Sequence, residues 1–288
     1  MIKCVAIDMD GTLVNSKHVV SEENAQAIKL AQSQGIEVVI ATGRSYQEAR
    51  YVLEDAHIRC PIICVNGAEV RSVEGNKLYS IPLQLKEIHM LTNTLNELDI
   101  YYEVYTDEGT YSRDYDKAIS TIMDIFMSAN PRQDYEKAIE GAKARFDKGM
   151  VKLIDSYEPL FENPAKEIYK LLAFSLDQES LAVATGRLKN IETVAVSSSG
   201  AENLEITHYN AQKGIALTNF VEQRGISLFE TMAIGDNYND VSMFKRVGRA
   251  VAMGNAPKDI HKICHTVTAT NDENGVAKAI LAILSENR

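Results

Sequence analysis

Cysteine is scarce in this 288-residue chain: there are four, Cys4, Cys60, Cys64 and Cys264. Cys60 and Cys64 have no matching His or Cys pair nearby, which argues against a zinc-type site. The four read as small buried apolar residues in a reducing compartment. Positive charge is also short. Lys and Arg number 30 against 40 Asp and Glu, a formal net charge of −10, which argues against a broad nucleic-acid or anionic-membrane surface. An anionic small molecule remains possible, because a site needs only local positive charge. No apolar stretch approaches membrane-spanning length. The first apolar run is short and broken by Asp8 and Asp10, unlike a secretory leader. Internal repeats and low-complexity tracts are lacking too. Hydrophobic residues make up 45% of the chain, so a core can form without staples. The expectation is a cytoplasmic globular protein with no nucleic-acid and no membrane partner, its oligomeric state unreadable.

What is present is an alternation of strand and helix signals at both ends. Lys3–Ile7 reads as a buried strand. Ser21–Gln34 reads as a helix capped by Ser21, with Ala25, Ile28 and Ala31 on one face and Gly35 at its end. Glu37–Ala41 is a second strand. Ser45 and Glu48 have capping-box spacing. Pro61–Val65 is a third strand, followed by an Asn66-Gly67 turn and a hairpin around Glu74-Gly75-Asn76. Near the C-terminus Gly214–Arg224, Val241–Arg246 and Val276–Ser285 read as helices. Thr231–Ile234, Ala250–Ala252 and His265–Thr268 read as strands. Such alternation predicts a parallel sheet covered on both faces. The middle is more mixed, with helices expected at Leu85–Leu98, Tyr115–Ser128 and Glu158–Tyr169. Strands are expected at Ile100–Tyr105, Thr110–Arg113, Val151–Ile154, Leu171–Ser175, Thr193–Ser197 and Leu204–Thr207. The expected fold is α/β, a doubly wound, mainly parallel Rossmann-like sheet, with an inserted α+β domain. The expected domains are residues 1–82 and 210–288 for the α/β part and 83–209 for the insertion.

Three apolar strands of the α/β part end in polar residues. The first ends at Asp8-Met9-Asp10-Gly11-Thr12, the second at Thr42-Gly43-Arg44, the third at Gly235-Asp236. In open parallel sheets ligands bind outside the carboxyl ends of the strands, so these ends meet at one place. Asp8 and Asp10 lie two apart and point to one side of an extended chain. Their repulsion calls for a cation or a proton. Gly235-Asp236-Asn237-Tyr238-Asn239-Asp240 adds two acids and two amides. Mg²⁺ takes oxygen ligands and needs only one or two carboxylates beside a substrate phosphate; Asp8 and Asp236 supply that pair. Lys213 heads a helix and is the counter-charge for a phosphate or for Asp8.

Taken together the four segments resemble the motifs of the haloacid dehalogenase superfamily of phosphohydrolases, in family order. They are Asp8-Met9-Asp10-Gly11-Thr12, Ala41-Thr42-Gly43-Arg44, Lys213-Gly214 and Gly235–Asp240. Asn66-Gly67-Ala68, Ala252-Met253-Gly254-Asn255-Ala256 and Gly275-Val276-Ala277 resemble the Cof-type branch, which carries a large α+β (class IIB) cap between the second and third motifs. Gln212 departs from the serine often found there. The resemblance implies a Mg²⁺-dependent phosphatase acting on a small phosphate ester. It implies Asp8 as nucleophile, forming an aspartyl-phosphate, and Asp10 as general acid and base. Mg²⁺ would be held by Asp8, Asp236 and the Asp10 carbonyl. Thr42, Gly43, Lys213 and Asn239 would hold the phosphoryl group, with Asp240 supporting the metal's waters and Arg44, Asn66 and Gly67 on the substrate side. Asp10 argues against a dehalogenase, since halide departure needs no proton. A phosphomutase on the same core and a non-catalytic phosphometabolite-binding regulator are the alternatives. Candidate cap contacts are Arg113, Lys152, Arg187 and His208.

Overall fold

The computed structural model describes residues 1–129, 135–198 and 201–286. They form two compact units, residues 1–80 with 211–288 and residues 81–210. The chain begins with β1 (Cys4–Ile7), α1 (Glu22–Ser33), β2 (Glu37–Ala41), α2 (Tyr46–Asp55), β3 (Ile62–Cys64), β4 (Glu69–Arg71) and β5 (Lys77–Ser80). Ser21 caps α1 by accepting from the Asn24 amide, and Ser45 and Glu48 close a reciprocal capping box at α2. Each satisfies amides that a helix start leaves without partners.

The second unit follows: α3 (Leu85–Glu97), β6 (Tyr101–Thr106), β7 (Gly109–Ser112), α4 (Tyr115–Ala129), α5 (Tyr135–Asp147), β8 (Val151–Leu153), α6 (Glu158–Phe161), β9 (Ile168–Phe174), α7 (Gln178–Leu188), β10 (Val194–Ser197) and β11 (Asn203–His208). Its sheet runs β10-β11-β9-β6-β7-β8. It is antiparallel except between β7 and β8. Tyr102, Val104, Leu171, Ala173 and Ile206 alternate onto one face and pack with Leu91 and Leu95 of α3 and Leu181 and Leu188 of α7. The expected helix Glu158–Tyr169 is overturned: α6 stops at Phe161 and Ile168 already opens β9. Pro164 explains it, since a proline biases the preceding residue away from the helical region. Helices α5 and α7 were not anticipated; Asp177 as cap, ahead of buried Leu181, Ala184 and Leu188, is the signal that marks α7.

The chain then returns to the first unit with α8 (Lys213–Glu222), β12 (Thr231–Gly235), α9 (Val241–Phe244), β13 (Arg249–Ala252), α10 (Lys258–Ile263), β14 (Thr266–Val267) and α11 (Gly275–Glu286). The sheet order is β14-β13-β12-β1-β2-β3-β4-β5. It is parallel from β14 to β3, with β4 and β5 adding an antiparallel edge. Cys4 and Ala6 of β1 and Val39 of β2 point to a face covered by Ala216, Leu217 and Phe220 of α8 and Met243 of α9. Val5 and Ile7, alternating to the opposite face, are equally buried; α1 and α11 pack against each other. Sequence order reverses across β1: β2 lies on one side and β12 on the other. That is the topological switch point where such sheets bind ligands.

Burial pushes the thiols of Cys4 and Cys60 up to about 12 and that of Cys64 well above its ordinary value. They are inert apolar fillers, whereas Cys264 is only half-buried. Among the described residues no helix is long and apolar enough to cross a membrane.

Candidate active site

Ile7 lies opposite Ile40 of β2 and Ile234 of β12. The three strands therefore end level, and Asp8, Thr42 and Asp236 emerge together. Lys213, the first residue of α8, is fully buried. Its Nζ donates to Asp8 Oδ1 at 2.5 Å and to Asp240 Oδ1 at 2.7 Å. Burial alone would lower the Lys213 ammonium, but Asp240 and Asp8 outweigh it and hold the lysine charged. Burial, then repulsion from Asp240, pushes the Asp8 carboxyl well above its ordinary range, with Lys213 pulling the other way. Gln212 makes no side-chain capping bond to α8. Instead Ser242 Oγ takes the Gly214 N–H at 2.9 Å, tying the lysine's helix to α9.

Asp236 completes an acidic group. Asp8, Asp236 and Asp240 each offer an oxygen within 4.8 Å of the others. Asp240 also accepts the Asp236 and Asn237 N–H groups at 3.0 and 3.1 Å, which fixes the loop. Thr12 Oγ1 donates to Asp236 Oδ1 at 2.8 Å. Burial, and repulsion from Asp240 against the Thr12 bond, raises Asp236 to about 6. Gly11 has φ +77°, and a Cβ there would stand 2.4 Å from Asp236 Oδ2. Three carboxylates thus face one ammonium. Oxygen-only donors with excess negative charge are what a hard dication such as Mg²⁺ requires. Asp8, Asp236 and Asp240 are the carboxylates that could hold such an ion, Asp240 being the one most engaged, with Lys213 and two amides.

Asp10 stands apart from this group. Arg44 Nε and Nη2 donate to its two oxygens at 2.9 and 2.5 Å. Desolvation by the surrounding loops would raise the Asp10 carboxyl, but the bonds and charge of Arg44 outweigh it and hold it below the usual range. Arg44, expected on the substrate side, pairs here with Asp10. Thr42 is buried and its Oγ1 accepts the Arg44 N–H at 3.1 Å. Asn239 Nδ2 donates to Asn66 Oδ1 at 3.1 Å. Sequence reasoning also missed the braces behind this shell. Asn255 Nδ2 donates to the Gly11 carbonyl at 2.8 Å and its Oδ1 accepts from the Asn271 amide at 3.0 Å. The Asn24 Oδ1 accepts from the Ala277 amide at 2.9 Å. Asn255 and Ala277 lie in two of the phrases singled out above, so those phrases have a physical role: the first pins the loop that follows Asp8, and the second ties α11 to α1.

Each of the four cap candidates has its own partner within the second unit. The Arg113 guanidinium lies over the rings of Tyr157 and Tyr102, 5.0 and 5.8 Å from their centroids. Lys152 Nζ donates to the Glu108 carbonyl at 3.1 Å. Arg187 pairs with Glu97 at 2.9 Å. His208 Nδ1 accepts from the Asn210 amide at 3.1 Å.

A family model described as haloacid dehalogenase-like hydrolase matches residues 5–280. The Bacillus subtilis phosphatase YwpJ is 37% identical over 285 residues, covering 98% of this chain and all of the relative. From the same organism, 5-amino-6-(5-phospho-D-ribitylamino)uracil phosphatase YwtE is 39% identical over 286 residues, 99% of each chain. A solved Bacillus subtilis haloacid dehalogenase-like hydrolase superposes with a TM-score of 0.87 at 37% identity, over 97% of this chain and 99% of the other.

Proposed function

The chain belongs to the haloacid dehalogenase-like hydrolases and is a phosphoric monoester hydrolase; on that premise we propose that it is a Mg²⁺-dependent phosphatase working through an aspartyl-phosphate on Asp8. One observation carries the reading. Two acids two residues apart have been given opposite surroundings: Asp8 is buried on Lys213, and Asp10 is held by Arg44 outside the acidic group.

In this mechanism Asp8 attacks phosphorus, the bond from phosphorus to the ester oxygen breaks, and Asp10 delivers a proton to the departing oxygen. Arg44 must release one Asp10 oxygen for that oxygen to carry the proton. Asp10, now a carboxylate, takes a proton from the water that attacks the phosphoryl group. Inorganic phosphate leaves and Asp8 is regenerated. Lys213, with the Thr42 hydroxyl, the Gly43 backbone and the Asn239 amide, holds the phosphoryl oxygens, as suits a reaction driven by positioning and electrostatics. Asp8, Asp236 and the Asp10 carbonyl would hold Mg²⁺, which would supply charge neutralisation of the phosphoryl group.

The substrate is a small phosphorylated metabolite from the sugar-phosphate, nucleotide-related or cofactor-precursor classes. Similarity to YwtE across the whole chain makes the phosphoribitylaminouracil named for that enzyme the first compound to assay. The test is a panel of phosphorylated metabolites compared by kcat/KM, because specificity is a ratio of those values. One ester standing out by about 10²-fold or more identifies the substrate; a panel hydrolysed evenly counts against a dedicated metabolite.

A further inference from the structure

We propose that the turn Val65-Asn66-Gly67 is the positioning element of the phosphoryl pocket, with the Asn66 carboxamide as its working group. This rests on the phosphatase reading above. All three residues have positive φ: 48° at Val65, 55° at Asn66 and 102° at Gly67. Glycine takes such angles freely and asparagine tolerates them, but a β-branched valine there is a true outlier. A conformation this costly persists only where its surroundings over-determine it, and such positions cluster at active sites.

The surroundings here are the loops of the site. The Val65 N–H donates to the Arg44 carbonyl and the Asn66 N–H to the Thr42 carbonyl, both at 2.9 Å. The turn thereby grips the segment carrying Thr42 and Gly43 at both of its ends. Asn66 Oδ1 accepts from Asn239 Nδ2, and a Cβ on Gly43 would sit 3.2 Å from that same oxygen. On the other side, a Cβ on Gly67 would come within 2.5 Å of the Gln212 carbonyl oxygen and 3.0 Å of the Lys213 backbone nitrogen. One three-residue turn therefore abuts the segments that carry Thr42, Lys213 and Asn239. These are the groups assigned to the phosphoryl oxygens, and they come from three distant parts of the chain. A turn that merely joined β3 to β4 would not need a valine forced into the left-handed region. Asn66 is thus a positioning residue: it acts through Asn239 and the Thr42 segment.

The test uses Asn66→Gly in the full chain. Glycine accepts the same φ without strain, so only the carboxamide is lost. The melting temperature should stay within a few degrees, while kcat for p-nitrophenyl phosphate falls about tenfold or more and KM changes less, the split expected when alignment rather than binding is lost. The inhibition constant of orthovanadate should rise by a similar factor. Combining Asn66→Gly with Asn239→Ala should cost no more than the worse single change, because groups acting as a unit are not additive. A kcat/KM within about threefold of the unmutated enzyme overturns the proposal, as do fully additive losses. Should Asn66→Gly fail to fold, Asn239→Ala alone decides: unchanged rate and vanadate inhibition overturn the proposal. Hydrolysis by the unmutated enzyme is the control that keeps the two claims apart. If it is active and Asn66→Gly is unimpaired, only the positioning role is lost.

Discussion

Arg44 grips Asp10 with a two-pronged pair, Nε to one oxygen at 2.9 Å and Nη2 to the other at 2.5 Å. A bidentate pair fixes the plane of a carboxylate as well as its charge. Lys213 pairs with Asp8 and Asp240. The same guanidinium ties Asp10, on the loop after β1, to the loop after β2. Arg44 thus holds one of two neighbouring acids while the buried ammonium holds the other.

Replacing Asp10 with Asn separates the two chemical steps. A nitrophenolate leaves without a proton, so the first step survives; the second needs a base for water. The expected result is a burst of about one nitrophenolate per chain, followed by turnover slower by about 10²–10⁴-fold. Stopped-flow absorbance reads both phases. A variant with no burst and an unchanged steady rate removes Asp10 from the mechanism.

Asp8→Asn should abolish hydrolysis of every ester, since the amide cannot be the nucleophile. EDTA should silence the unmutated enzyme, and Mg²⁺ should restore it. A rate indifferent to chelation contradicts the assignment of Asp8 and Asp236 as cation ligands, and residual turnover by Asp8→Asn contradicts the covalent route.

Much of this was legible in the sequence because it is local. The apolar runs before Asp8, Thr42 and Asp236 have strand length, and the Ser45 and Glu48 box forms as its spacing demands. What was not legible joins residues far apart. Arg44 reaches Asp10 across 34 positions, Thr12 reaches Asp236 across 224, and Asn255 reaches Gly11 across 244. No periodicity encodes such partners. Asp240 is a further case: its contact with Lys213 joins residues that no local pattern links. The misplaced helix after Glu158 is a different failure, since Pro164 was visible and outweighed apolar spacing.

Gly11→Ala tests the closeness of the first and fourth motifs. The residue is left-handed at φ +77°, and the added methyl would meet Asp236 Oδ2 at 2.4 Å. Backbone strain of this kind costs about 1–3 kcal/mol, and Asp236 must move as well. Both a lower melting temperature and a Mg²⁺ requirement shifted to higher concentration are expected. Mg²⁺ activation identical to the unmutated enzyme would show that the loop and Asp236 are not coupled.

Lys213→Met keeps the stem and removes the charge. It leaves Asp8 and Asp240 buried without their ammonium. Removing one partner of a buried pair costs about 3–5 kcal/mol, partly relieved if Asp8 takes up a proton. Urea unfolding should show that loss, and activity should vanish. A variant of normal stability would mean that the three carboxylates are not charged together in the folded protein.

Acidity and Mg²⁺ should be linked through Asp236 and Asp8. Burial and repulsion from Asp240 raise Asp236 from an ordinary 3.8 to about 6 and lift Asp8 in the same direction. A raised folded value means that the native state holds protons the unfolded chain has lost. The stability these protons lend is complete below about pH 3.8 and is lost as pH climbs through about 6. On the proposed reading magnesium ion would bind the ionised carboxylates of the folded state and oppose that loss. The melting-temperature gain on adding Mg²⁺ should therefore be small near pH 5 and larger near pH 8, where protons no longer compete for Asp236. Differential scanning fluorimetry at the two pH values reads it directly. An equal gain at both would place the bound ion away from Asp236 and Asp8.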